Sequence, residues 1–212
     1  MYKRQSGGID SAVAACVAAA AVGPENVLGI AMPSRYSSQH SIDDAKYTAQ
    51  ALGIEFKIES IDGMHSNLES QIGEMLTAGS SVASENIQSR LRGIIVMAHA
   101  NAQGRMAIAT GNKSELAQGY CTLYGDMAGG YTPLGDLYKM QVYALADVFN
   151  KRALDFGLKA PISKSTLTKP PSAELAPDQK DEDSLPPYDV LDEILRLHIE
   201  PVSYTHLRAH ET

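Results

Sequence analysis

Ser6-Gly7-Gly8-Ile9-Asp10-Ser11, with the alanine-rich run of residues 12–22 directly behind it, is the most informative stretch of this chain. Two adjacent glycines let a backbone curl tightly, so that successive N–H groups point inward and form a nest for an anion. A helix starting immediately afterwards adds the positive end of its dipole, and Ser6 and Ser11 add hydroxyl donors. Asp10 cannot be a phosphate ligand itself, because two anions repel. Its sensible role in such a loop is to hold Mg²⁺ against phosphate oxygens. No Gly-Lys-Ser/Thr ending follows, so this is not the phosphate loop of the ATPases and GTPases. The same six residues also read as a plain Gly-Gly turn capping a helix.

Outward from this loop, short apolar strands alternate with helical segments. Residues 26–32 (NVLGIAM) read as a buried strand, 41–52 as a helix and 55–61 (EFKIESI) as a strand with one exposed face. Helices are expected over 64–76, 84–103 (with Ser84 as N-cap), 138–154 and 189–199, and a short buried strand over 106–110 (MAIAT). Residues 111–137 and the proline-rich 161–187 read as turns and loop. This alternation predicts an α/β fold: three layers, a mostly parallel sheet and helices on both faces. A strand should feed the Gly-Gly turn, yet only Met1-Tyr2-Lys3-Arg4-Gln5 precedes it, with poor strand character. The sequence therefore predicts that the first strand is missing.

The chain has 212 residues, enough for one domain with a sizeable core, and a net charge of −7. Residues 178–200 carry eight acids against Lys180 and Arg196, whereas residues 1–177 carry 16 acids and 15 bases. The acidity is thus a local patch, read as a solvated loop leading into a helix. An acidic balance without a basic stripe argues against a nucleic-acid partner. No apolar run approaches the roughly 20 residues of a membrane span, and no secretory signal is visible. Two cysteines, Cys16 and Cys121, suit a reducing cytoplasm. The six histidines form no metal-like pattern, and neither cysteine has a base at motif spacing.

The hexamer has the form SGGxDS and resembles the loop of the N-type ATP pyrophosphatases. Five further segments are similar to the NAD synthetase family within that group: Met32-Pro33-Ser34-Arg35-Tyr36-Ser37-Ser38, Glu85-Asn86-Ile87-Gln88-Ser89-Arg90, Thr110-Gly111-Asn112-Lys113-Ser114-Glu115, Gly119-Tyr120-Cys121-Thr122-Leu123-Tyr124-Gly125-Asp126 and Lys169-Pro170-Pro171-Ser172-Ala173-Glu174-Leu175. They occur in the family's order, with details closest to the synthetase domain of the glutamine-dependent type. The resemblance implies an adenine-nucleotide α-hydrolase-like fold over residues 6–200, incomplete at both ends. Residues 1–5 and 201–212 then read as non-native, adapter-derived ends that should pack poorly. A fragment without its central strand would be unstable or inactive alone.

The activity implied is ATP-dependent amidation of deamido-NAD to NAD through an adenylated intermediate, with release of AMP and pyrophosphate. Ammonia would come from glutamine through a nitrilase-like glutaminase domain absent from this chain. By the same resemblance the enzyme is a cytoplasmic homodimer or higher homo-oligomer, with ATP as co-substrate and Mg²⁺ as cofactor. Ser6, Gly7, Gly8, Ile9, Asp10, Ser11, Thr110, Lys139 and Ser172 are implied in binding ATP. Asn86, Arg90 and Glu115 are implied in binding deamido-NAD, Asp10 and Glu115 in holding the metal, and Asp10, Glu115 and Lys139 in catalysis. Each has an ordinary structural reading too. Thr110 could simply end a strand, Glu115 could be an acid in a first helical turn, and Arg90 a solvated helix charge. Lys139 begins a helix, where the dipole disfavours a cation. Two other functions stay open: a pyrophosphatase of the same group with another acceptor, and a module that binds ATP without adenylating anything.

Overall fold

The computed structural model describes the backbone of residues 2–5, 8–78, 81–176 and 179–209, and the side chains of residues 8–76, 82–176 and 179–200. Four parallel strands form one sheet in the order β3-β2-β1-β4, with β1 Tyr2–Gln5, β2 Leu28–Ala31, β3 Glu55–Ile58 and β4 Ala107–Ile108. All four residues of β2 are buried, as expected of a parallel strand covered on both faces.

The period-two alternation of a strand divides the core in two. Leu28, Ile30 and Met32 meet Leu91, Val96 and Ala100 of helix α4 (Ser81–Gln103), which packs beside α3 (Asp62–Ala78). Val27 meets Ala15 and Ala18 of α1 (Ile9–Val22) and Ala49 of α2 (Gln39–Leu52) on the other face. Helix α1 is buried on nearly every side because its alanines allow close approach to the sheet, α2 and α6 (Lys139–Asp155). It stops at Gly23, whose φ of 86° is a conformation that side chains disfavour. The three-layer α/β reading is borne out.

Several expectations need correction. The sheet position expected to be vacant is occupied by Tyr2–Gln5, paired in parallel with both β2 and β4. A ladder is made by main-chain groups, so a run with poor strand patterning still pairs when both neighbours offer unsatisfied edges. Within the segment expected to be all turns lies α5, Lys113–Gln118, which is too short to show helical periodicity. A second short helix, α7 (Lys164–Thr168), interrupts the proline-rich loop. The last helix, α8, runs Tyr188–Ala209 and continues through Pro201. The expected poor packing of 1–5 and 201–212 concerns side chains outside the described ones.

A further correction concerns the acidic segment. Asp181 and Asp192 are buried, 4% and 8% exposed, so this stretch is not simply a solvated face. The strand order brings the carboxyl ends of β1, β2 and β4 to one edge, and α1, α5 and α6 all begin there. That edge is where nucleotides bind in open α/β sheets.

Candidate active site

Gly8 is the N-cap of α1 and offers no side chain to its first turn. The first N–H groups of any helix lack intrahelical acceptors, and here that turn opens onto a cavity of about 500 Å³ lined by Gly8, Ile9, Asp10 and Ser11. Ser11 spends its hydroxyl proton on the Gly8 carbonyl at 2.9 Å, so the anion-binding character of the loop rests on backbone amides and the dipole. Ser6 and Gly7 lie outside the described residues.

Beside Asp10, Asn112 caps α5 and accepts the Glu115 N–H at 3.0 Å, while the Glu115 carboxylate reaches back toward the Asn112 N–H at 3.4 Å. This capping box orients Glu115 toward Asp10. The Asn112 amide also donates to Asp10 Oδ1 at 2.8 Å. Lys139, the first residue of α6, closes the cluster. Its Nζ lies 2.6 Å from Asp10 Oδ2 and 3.1 Å from Glu115 Oε1, with the side chain only 3% exposed. Nζ also lies over the Tyr188 ring, 4.9 Å from its centroid.

Two carboxylates share one ammonium, and a third, Asp181, stands close by. Asp181 accepts hydrogen bonds from Tyr188 Oη at 2.9 Å and Tyr120 Oη at 3.3 Å. Burial first, and then Asp10, pushes the Glu115 carboxyl up from 4.5 to about 7, against the opposing pull of Lys139. Burial also raises Asp181. Burial alone would lower Lys139, but Asp10 and Glu115 outweigh it and hold the ammonium well above its ordinary value. The cluster therefore carries more negative charge than its single lysine offsets.

Such a deficit suits a further cation. Among the described residues no three His, Cys, Asp or Glu side chains are grouped to hold a metal. Two carboxylates plus the oxygens of a bound phosphate are, however, the usual ligand set of Mg²⁺. Asp10 and Glu115 fit that requirement.

The other expected residues divide. Thr110 and Asn86 line the same cavity. Asn86 Oδ1 accepts from the Thr122 hydroxyl at 2.7 Å. Ser172 lies in the cavity roof, but its hydroxyl donates to the Gln179 carbonyl and accepts the Glu174 N–H, so it braces its own loop. Arg90 is exposed, outside the cavity lining, and donates to the Leu123 carbonyl. Cys16 is buried in the core, and burial pushes the half-buried Cys121 thiol up, away from the thiolate.

The roof, residues 169–176 and 179–184, is fastened from two sides. Glu174 accepts from Ser38, Ser41 and Lys169 at 3.0, 2.7 and 2.6 Å. Gln88 donates to the Leu175 carbonyl at 2.8 Å, and Gln179 to Glu85 at 3.1 Å. Asn112, Tyr120, Asp181 and Tyr188 had no role assigned from sequence. Only Asn112 left a local signal, a capping residue three before a glutamate.

The family model for NAD synthase matches residues 5–210. The glutamine-dependent NAD(+) synthetase of Thermotoga maritima is 48% identical over 196 residues, which is 92% of this chain and 33% of that protein. That of Rhodobacter capsulatus is 50% identical over 201 residues, 92% of this chain and 36% of that protein. The chain thus spans about a third of the length of these curated relatives. Among solved structures, NMN synthetase from Francisella tularensis superposes with a TM-score of 0.79 at 31% identity, over 99% of this chain and 84% of that one. Glutamine-dependent NAD+ synthetase from Acinetobacter baumannii, in complex with ADP, gives 0.76 at 37% identity, over 95% of this chain and 35% of that one. With the match extending over nearly its whole length, the chain belongs to the NAD synthase family.

Proposed function

We propose that this chain carries the amide-forming step of NAD synthesis, in which the nicotinate carboxylate of deamido-NAD is adenylated by ATP and then aminated by ammonia. The observation that carries the reading is the convergence of Asp10, Glu115 and Lys139 beneath the uncapped start of α1. In the first step a carboxylate oxygen attacks the α-phosphorus and pyrophosphate leaves. In the second, ammonia attacks the acyl carbon and AMP leaves.

Both reactants are anions, so their meeting needs positive charge at the phosphates. The α1 amides and Lys139 are suited to hold the phosphates, and Asp10 with Glu115 to hold Mg²⁺. When bound, the ion would supply charge neutralisation at the phosphate oxygens. Thr110, just beyond β4, would meet ATP, and Asn86, which also lines the cavity, would meet deamido-NAD. Asp181, a buried carboxylate pushed up by burial, suits an ammonium ion that must give up a proton before attack. The reading extends to glutamine as nitrogen source through a nitrilase-like glutaminase domain, to a cytoplasmic setting and to homo-oligomers. No described helix is long and apolar enough to cross a membrane.

The test is deamido-NAD-dependent release of pyrophosphate from ATP with Mg²⁺ and ammonium chloride, read together with NAD formed. Equal pyrophosphate release without deamido-NAD would sink the reading. A second acceptor is favoured by the likeness to the Francisella NMN synthetase. Nicotinate mononucleotide belongs in the same assay, and the larger kcat/KM of the two identifies the acceptor.

A further inference from the structure

Helix α6 starts without the usual help. Its N-cap, Tyr138, makes no side-chain hydrogen bond to the first turn, and its first residue is a lysine, whose charge opposes the helix dipole. Gln141 reaches back to the Tyr138 N–H at 2.9 Å, which leaves the next amides to be satisfied otherwise. They are satisfied from α8. Asp192 Oδ2 accepts the Met140 N–H at 2.7 Å. Its other oxygen, Oδ1, accepts the Ser114 hydroxyl, and that hydroxyl in turn accepts the Lys139 N–H at 2.9 Å.

One buried carboxylate therefore fixes two helix starts at once. Ser114 immediately precedes Glu115 in α5, and the Lys139 and Met140 amides open α6. Ser114 is 0% exposed and Asp192 8%, so water does not offer these groups easy alternatives. Asp192 is held in place by the packing of Tyr188, Leu191 and Leu195 against Tyr138. It does not itself line the cavity.

From this geometry we infer that Asp192 is a positioning residue of the proposed reaction, holding Glu115 and Lys139 in register with each other through Ser114 and the first amides of α6. It acts on the reacting groups only through these partners. The inference rests on the adenylation reading above, and it deepens that reading by extending the site to the helix that follows the acidic loop. An asparagine at position 192 can accept only one of the two hydrogen bonds, since its amide nitrogen is a donor. The first turn of α6 should then loosen, and Lys139 should lose alignment on the charge that develops in the transition state.

The experiment compares wild type, Asp192→Asn, Ser114→Ala, the double variant and Asp189→Asn, an exposed acid on the same helix. Turnover is expressed per ATP-binding site, so that a fall in the folded fraction does not register. Asp192→Asn is expected to lower kcat at least tenfold with KM for ATP within about twofold. The double variant should be no worse than Asp192→Asn, and Asp189→Asn unchanged. Amide hydrogen exchange at 139 and 140 should accelerate at least tenfold in Asp192→Asn. An unchanged kcat per site, or unchanged exchange at those amides, overturns the inference. Should wild type lack deamido-NAD-dependent pyrophosphate release, the adenylation reading fails by itself and the exchange measurement alone decides about Asp192. Should Asp192→Asn not fold, Ser114→Ala decides, with a kcat loss of at least threefold expected and no loss refuting.

Discussion

Replacing Lys139 by methionine removes the ammonium from between Asp10 and Glu115 while keeping a side chain of similar reach. Nζ lies 2.6 and 3.1 Å from the two carboxylates. Breaking a buried ion pair by deleting one partner costs roughly 3–5 kcal/mol. For a chain of this size each kcal/mol lowers Tm by roughly 2–4 °C. Metal-free Lys139→Met should therefore melt roughly 6–20 °C below wild type at pH 8.

The pH dependence separates this account from a mere loss of packing. Glu115 titrates at about 7 in the folded wild type against 4.5 ordinarily, so the folded state binds its proton more tightly than the unfolded chain does. Its contribution is fully present below pH 4.5 and is lost as pH rises through about 7. About 2.5 units at 1.36 kcal/mol each amounts to roughly 3 kcal/mol for the metal-free protein. Without Lys139 the carboxyl is pushed higher still, so the loss extends above pH 7 and the Tm gap widens there. Below pH 5.5, with Glu115 protonated in both proteins, the gap should narrow. Thermal melts from pH 5 to 8.5 in EDTA, repeated with 10 mM Mg²⁺ (about 10 mM being ample for a weak two-carboxylate site), test each part. A Tm gap independent of pH, or no recovery of the variant by Mg²⁺, would falsify the electrostatic account.

Glu115→Gln should raise the Tm of the metal-free protein at pH 8, because it removes a carboxylate that burial and Asp10 disfavour. The same change should lower adenylation at least about 100-fold with ATP binding little altered, as measured by single-turnover pyrophosphate release and calorimetry. Asn112→Ala deletes both the cap of α5 and the donor to Asp10. A stability loss of about 1–3 kcal/mol by urea unfolding is expected, with a weaker response to Mg²⁺. Gly129→Ala brings a Cβ to 2.5 Å from the Ala109 amide nitrogen, where the chain runs beside β4. Backbone cannot yield there as a flexible side chain would. A loss of about 1–3 kcal/mol by urea unfolding is expected, and an unchanged midpoint would refute the close approach.

Helix α6 was legible from its apolar period, α1 from its alanine run and the glycine that ends it, and α2 from its length. Helix α4 was legible too, but its expected N-cap, Ser84, lies inside the helix, which begins at Ser81. Strand β2 was legible as a bounded apolar run. Helix α5 was not, since six residues make fewer than two turns; its mark was the Asn112–Glu115 spacing. Strand β1 was misread because a ladder in the middle of a sheet is satisfied by backbone, whatever the side chains. At the site, Asp10, Glu115 and Lys139 were all named from the resemblance, and the fold brings them together. Arg90 was named with equal reason; one turn on from the cavity-lining Asn86, it bonds the Leu123 carbonyl and lies outside the lining. Asp181 and Asp192 stood in a run of acids, and local sequence cannot tell these buried carboxylates from exposed neighbours such as Glu182, Asp183 and Asp189.

By itself, then, the sequence determined the α/β class, a glycine at the head of a helix, and the chemical types available: two carboxylates and a lysine at marked positions. The first two are local properties of backbone sterics and periodicity, and the last is what the family resemblance implied. Only the tertiary structure decided which charges share one dry volume. Lys139 is 129 positions from Asp10 and 24 from Glu115, yet its ammonium touches both. Proton affinity and cation demand depend on burial and on distances of a few ångströms, and these arise where three helix starts and a sheet edge meet.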